Sequence, residues 1–314
     1  MFRMWTSYDN YIDALKAISE PTRFRLVRLC AQGELTVSEL MRIVGQSQPR
    51  VSRHLKLLQD AGILERFREQ HWVFYRVAQE EHYQLLVSGL IKQIEKNETI
   101  IQLDQSRLIE LQAARATLSE TFIETELPDW LRLHEYHGDT ARFESAVQDA
   151  LAEKTVGHLL DVATGTGRML KIVGPLASSG VGIDLSKKMV TVARSVLAES
   201  GLTHLTVRQE DMYQMRFAAR HFDTITIDQI LYFATNPDAL IKETARVLKY
   251  GGRLLVVAFT ASKTAKTPPS VGIELSDIQQ WIESAGLKIT NTNILPGDSL
   301  DISLLVSEKA KDAT

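Results

Sequence analysis

Four carboxylates in the C-terminal half stand where short apolar runs end. Asp161 sits near the end of Leu159-Leu160-Asp161-Val162, and Ala163-Thr164-Gly165-Thr166-Gly167-Arg168 follows at once. The glycines Gly165 and Gly167 let a backbone approach a ligand closely, and the helix that follows offers unpaired N–H donors. About twenty residues further on, Gly182-Ile183-Asp184-Leu185-Ser186 ends a second run with an acid, where a carboxylate can accept both hydroxyls of a ribose. A third run leads into Glu210-Asp211-Met212, an acid able to take an adenine amino group beside a thioether able to lie on its ring. Asp228-Gln229 closes a fourth. Phosphate-binding dinucleotide loops share this logic, so a nicotinamide enzyme is the competing reading. Asp161 weighs against it, because an acid just before the loop suits a cationic ligand group and not a pyrophosphate.

A second constellation lies in the N-terminal quarter. In Gln48-Pro49-Arg50-Val51-Ser52-Arg53-His54-Leu55-Lys56-Leu57-Leu58, helical spacing puts Val51, Leu55 and Leu58 on one face. Gln48, Arg50, Ser52, Arg53, His54 and Lys56 are left for the outer and flanking faces. These side chains hydrogen-bond base edges and phosphates, and a helix of this size fits the major groove. Arg66, Arg68 and His71 follow in a predicted hairpin, placed for phosphate or minor-groove contact.

The elements that must carry these residues are legible in outline. Ser19 is the predicted N-cap of a helix with Pro21 in its first turn. Thr36 caps a helix over 37–44, and Gly45 ends it in the left-handed region. A helix over 49–61 follows, then strands 63–67 and 72–77 around a turn at 68–71. The stretch 80–126 holds no proline, and its leucines and isoleucines recur at helical spacing, predicting one long helix or two. From Gly157 the pattern becomes strands at 158–163, 181–185, 205–208, 222–228 and 253–259 alternating with helices, which predicts a parallel doubly wound sheet. Two strands around Pro296-Gly297 give it an antiparallel edge. The expected fold is thus a mainly α winged helix-turn-helix (α+β) over 1–79, a helical dimerisation or connector region over 80–153, and a Rossmann-like α/β doubly wound sheet over 154–314.

Composition fits this division. Residues 1–78 carry 12 Lys/Arg against 8 Asp/Glu, and the remainder 24 against 31, within a net charge of −3. A basic domain on an acidic one suggests that the first meets a polyanion. A single cysteine, Cys30, excludes an intrachain disulfide and a Cys-rich metal site, so no metal centre is expected. No apolar run reaches the ~18 residues a membrane span needs, and the first residues lack the pattern of a signal peptide. A cytoplasmic protein with no membrane partner is expected.

Both constellations resemble known families. Residues 12–78 resemble the ArsR family of bacterial repressors, through Ala17-Ile18-Ser19-Glu20-Pro21-Thr22-Arg23, Thr36-Val37-Ser38-Glu39-Leu40, the segment 48–55 and the wing ending Trp72-Val73-Phe74-Tyr75. That resemblance implies a homodimer on double-stranded, palindromic operator DNA. Metal sensing is not carried over, since Leu35-Thr36-Val37-Ser38-Glu39-Leu40 has no cysteine. Residues 155–308 resemble class I S-adenosylmethionine-dependent methyltransferases, helped by Arg246-Val247-Leu248-Lys249-Tyr250-Gly251-Gly252 before the fifth strand. The resemblance implies that Asp161, Gly165 and Gly167 hold the methionine part, Asp184, with Leu185 beside it, the ribose, and Asp211 and Met212 the adenine. Asp228 or Gln229 would lie near the sulfonium. Ala163 stands where the family has its first glycine. Trp130 and His134 fall where fusions of these two domains cover the cofactor. Such fusions carry histidines after the fourth strand and a His/Arg-rich stretch after the fifth. Here those places hold Asp228-Gln229-Ile230-Leu231-Tyr232-Phe233 and a small polar segment over 260–270. The cofactor half of the pattern is intact and the acceptor half is degraded. This favours S-adenosylmethionine or S-adenosylhomocysteine as an effector over an active methyltransferase, for which a small-molecule methyl acceptor would be the further partner.

Overall fold

Helix α1 (Tyr8–Ile18) begins where the Ser7 hydroxyl accepts the Asn10 N–H at 3.2 Å. The computed structural model describes residues 7–69, 72–78, 80–93, 98–126, 140–261, 273–297 and 300–310, which fall into two units, Met1–Thr117 and Leu118–Thr314. Helix α2 (Pro21–Cys30) is capped by Glu20, not by the expected Ser19. The Glu20 carboxylate accepts the Arg23 N–H at 2.8 Å, while Ser19 closes α1 and donates its hydroxyl to Lys16 O at 2.8 Å. After the two-residue strand β1 (Leu35–Thr36), Thr36 and Glu39 form a reciprocal capping box on α3 (Val37–Val44). Gly45 ends that helix at φ 69°, in the region glycine enters without strain. Helix α4 (Gln48–Asp60) follows, then strands β2 (Leu64–Glu69) and β3 (Trp72–Val77). The hairpin register runs from Leu64↔Val77 to Glu69↔Trp72, so Arg68 lies in a strand and not in the turn. With β1 on the other side of β3, this is a three-stranded sheet.

Leu26, Leu29, Leu40, Ile43, Val51, Leu55, Leu58 and Ile63 fill the core of this unit, with Cys30 among them. Helices α5 (Glu81–Lys92) and α6 (Thr99–Glu126) supply Val87 and Leu108 to the same core, with Leu86, Leu90 and Leu111 against it. Within the region 80–153, α5 and α6 thus pack on the core of the first unit. Its apolar stripe finds a partner on the winged helix itself. Its last helix, α7 (Thr140–Ala150), gives Phe143, Ala146 and Val147 to the core of the second unit. Trp130 and His134 lie outside the described residues.

The second unit is a seven-stranded sheet. Its strands are β4 (Gly157–Val162), β5 (Ala177–Asp184), β6 (Leu205–Gln209), β7 (Phe222–Asp228), β8 (Leu248–Ala261), β9 (Leu287–Leu295) and β10 (Leu300–Lys309). Their order is β6-β5-β4-β7-β8-β10-β9, parallel except that β10 runs antiparallel to β8 and β9. One face is covered by α7, α8 (Arg168–Val173) and α9 (Lys187–Glu199), through Phe143, Val173, Val190 and Ala193. The other is covered by α10 (Pro237–Val247) and α11 (Leu275–Ser284), through Leu240, Ile241, Ile278 and Ile282. Strand order reverses at β4, whose neighbours are β5 and β7. A crevice for a ligand opens beyond the carboxyl ends of strands at such a switch point.

Candidate functional site

The carboxyl end of β4 is held by hydroxyls. Asp161 is 1% exposed, and its two oxygens accept from Thr164 Oγ1 at 2.5 Å and Thr226 Oγ1 at 2.7 Å. Thr226 stands opposite Asp161 in the β4–β7 register. Burial pushes the Asp161 carboxyl up to about 7; the two threonines oppose this, and the charges of Asp228 and Asp184 add to it. The loop then turns through three left-handed residues, Ala163 (φ 54°), Gly165 (φ 55°) and Gly167 (φ 84°). A side chain at φ > 0 costs ~1–2 kcal/mol, so alanine in the family's first glycine position is a strained substitution as well as a bulkier one. Gly167 lies against Ala193 of α9, where an added Cβ would come within 3.2 Å, so this glycine serves helix packing. Gly165 differs: no atom of the described residues stands within 4 Å of where its Cβ would be.

Asp184 ties the loop to the next strand. Its Oδ2 accepts the Gly165 N–H at 2.9 Å and its Oδ1 the Ser186 N–H at 2.7 Å. Burial raises its pKa, and these two backbone donors lower it. Each oxygen keeps a lone pair for a further donor. Leu185, the next residue, is 69% exposed. Beyond β6 the Asp184 carbonyl accepts the Glu210 N–H at 3.0 Å, which places Asp211 and Met212 on the same rim. Asp211 is exposed and accepts the Tyr213 N–H at 2.8 Å; Met212 is half-buried against the sheet core.

At the end of β7, Asp228 follows Ile227, the partner of Val162, and so stands beside the start of the loop. Its Oδ1 is closed to solvent and accepts no hydrogen bond among the described residues. Burial pushes this carboxyl up to about 6, and the charge of Arg168 pulls it back. Arg168 opens α8 with its guanidinium 3.9 Å over the Phe143 ring. Gln229 is buried at φ 61° and donates its N–H to Val257 O at 2.9 Å. The exposed rings of Tyr232 and Phe233 meet edge to face just beyond. Sequence reading missed Thr164, Thr226, Arg168 and Phe143. Arg168 was visible, one residue past Gly167, but Thr226 gains its role only from strand pairing.

In the first unit, α4 exposes Gln48, Arg50, Arg53 and Lys56, while Ser52 is half-buried. His54 is set apart from them. Its side chain is largely covered, with Nδ1 3.5 Å from Glu20 Oε2. Burial lowers its pKa and Glu20 raises it, while Arg23, Arg50 and Arg53 lower it further. Arg66 and Arg68 are exposed two residues apart on β2, hence on one face of the strand. Arg76, by contrast, is buried, bonded to Glu34 at 3.0 Å and Glu65 at 2.8 Å. His71 lies outside the described residues. The turn that delivers α4 is clamped from α6: Arg107 Nη1 donates to Ile43 O at 2.8 Å. Arg25, held in a fork by Asp104 at 2.6 and 2.7 Å, donates to Val44 O at 3.1 Å.

Known protein families match segments of both units. Residues 20–66 match the family described as bacterial regulatory protein, arsR family, and residues 160–256 match the methyltransferase domain family. The chain joins an ArsR-type helix-turn-helix domain to a methyltransferase domain. The ubiquinone/menaquinone biosynthesis C-methyltransferase of Saccharophagus degradans is 39% identical over 115 residues, 35% of this chain and 46% of that protein. The protein of the same name from Pseudomonas putida is 36% identical over 108 residues, 33% of this chain and 42% of that one. The chain spans less than half the length of these curated relatives. Among solved structures, a SAM-dependent methyltransferase from Aquifex aeolicus is 19% identical with a TM-score of 0.46, covering 54% of this chain and 94% of that one. No helix among the described residues is long and apolar enough to cross a membrane.

Proposed function

We propose that this chain is a cytoplasmic transcriptional regulator that binds operator DNA as a homodimer and takes S-adenosylmethionine or S-adenosylhomocysteine as its effector. The DNA side rests on the exposed Arg50, Arg53 and Lys56 of α4 with Arg66 and Arg68 of the wing. On the effector side, the residues fit the cofactor. Among the described residues nothing stands over Gly165, and Asp228 Oδ1 is a buried acceptor with no hydrogen-bond partner. Gly165 would hold the amino-acid part, with Gly167 shaping the loop against α9 and Asp161 fixing it through Thr164 and Thr226. Asp184 would take the ribose hydroxyls with its remaining lone pairs. Leu185 and Met212 would face the adenine ring and Asp211 its amine, with Asp228 and Gln229 nearest the sulfonium. When bound, the cofactor would present an activated methyl group at the rim where Tyr232 and Phe233 stand.

The observation that carries this reading is the hydrogen bond from the Gly165 N–H to Asp184, which would join the amino-acid end and the ribose end of the cofactor site. The test is calorimetric titration of the full chain with S-adenosylmethionine. The wild type should bind, and Asp184→Ala should lose about 2 kcal/mol through unmet ribose hydroxyls. Unchanged affinity in the variant would sink the assignment. A second reading, methyl transfer to a small molecule under autoregulation, is favoured by the names of the curated relatives. Consumption of S-adenosylmethionine with a cell extract as acceptor source separates the two.

A further inference from the structure

Charge is out of balance in the crevice. Asp161 lies close enough to Asp184 and Asp228 for both to raise its pKa. Two of these three carboxylates are quenched by donors: Asp161 by Thr164 and Thr226, Asp184 by the N–H groups of Gly165 and Ser186. Asp228 is not. Its Oδ1 is sealed from solvent and accepts no hydrogen bond among the described residues. The cation that faces it, Arg168, is stacked on Phe143 and acts on it through its charge. Glu144 draws on the same guanidinium from α7. A buried charged oxygen without a partner is costly in a folded protein and marks a place where a ligand supplies the missing group.

S-adenosylmethionine and S-adenosylhomocysteine differ there by one methyl group and one positive charge. Asp228 stands at the carboxyl end of β7, beside the start of the loop that follows β4, on the edge where the sulfonium would lie. We propose that Asp228 sets the selectivity of this site between the two forms, by giving the sulfonium a buried counter-ion that the neutral thioether does not need. The inference rests on the reading of the crevice as a cofactor site. Arg168 belongs to the same device with the opposite sign. It is a cation already facing Asp228, and a bound sulfonium competes with it.

Three probes test this by titration calorimetry on the full chain: S-adenosylmethionine, S-adenosylhomocysteine, and sinefungin, which carries an amine where the methyl sulfonium would be. The isosteric Asp228→Asn should weaken the two cationic probes about tenfold or more and leave the thioether within about threefold, because a pair in this setting is only partly screened. Arg168→Met should move the ratio the other way, in favour of the cations, and it carries the test alone if Asp228→Asn does not fold by thermal melting. Equal weakening of all three probes by Asp228→Asn, or a ratio unmoved by either variant, overturns the proposal and leaves the cofactor site standing. Failure of the wild type to bind any of the three overturns the site and the proposal together.

Discussion

Burial raises the pKa of both Asp161 and Asp228, to about 7 and about 6. Burial holds Asp161 near 7, against an ordinary value of 3.8. The folded state therefore keeps a proton that the unfolded chain has released, over the range from about 4 to about 7. In that window the group's contribution to stability falls as pH rises, and above about 7 it is lost in full. Removing the charge removes the slope. Asp161→Asn should gain stability relative to wild type between pH 5 and pH 8 in urea unfolding, whatever fixed cost it carries for the Thr164 and Thr226 bonds. A difference between the two proteins that is the same at both pH values contradicts the assignment of this titration. At this scale the sequence was legible in type and not in partnership. Asp161, Asp184 and Asp228 announced themselves by standing at strand ends. That Asp161 spends its oxygens on Thr226 depends on the β4–β7 register, which no local pattern encodes. His54 shows the same limit. Its place on α4 suits a DNA contact, and the structure adds Glu20, far away in sequence, 3.5 Å from its Nδ1 at the cap of α2.

The elements were legible wherever a cap or a period marked them. Thr36 and Gly45 marked both ends of α3, and the apolar run over 222–228 is β7 to the residue. The cap of α2 was not, because Ser19 and Glu20 are adjacent candidates and only the chain's path decides between them. Helices α5 and α6 were visible as apolar stripes, but a stripe says that a face is buried and not what buries it. The structure answers that α6 braces the helix-turn-helix turn through Asp104, Arg25 and Arg107. Asp104 is 1% exposed and Arg25 11%. Breaking such a pair leaves an uncompensated buried charge, at about 3–5 kcal/mol. Asp104→Ala should accordingly lower the urea midpoint sharply. Arg107→Ala should be milder in stability and weaken operator binding severalfold by loosening the turn at Ile43. Because Arg107 is read here as a brace, its loss should leave the salt slope of binding unchanged, whereas losing a phosphate contact would reduce it by about one. A slope that falls with Arg107→Ala would make it a phosphate contact and remove the bracing account.

At the scale of the whole molecule, two kinds of domain share one chain, and α6 (Thr99–Glu126) holds residues of both units, Met1–Thr117 and Leu118–Thr314. A ligand on the second domain alters DNA binding only if it binds the high- and low-affinity states unequally; equal affinity shifts nothing, however tight. Linkage then requires operator DNA to change ligand affinity by the same factor. Both the effector reading and the selectivity assigned to Asp228 meet in one measurement. Operator affinity is determined for the full chain at fixed salt with saturating S-adenosylmethionine, with saturating S-adenosylhomocysteine, and with neither. The account predicts that the two ligands act unequally, with the larger shift about 5- to 150-fold, the ~1–3 kcal/mol typical of coupled sites. Three equal affinities would contradict it.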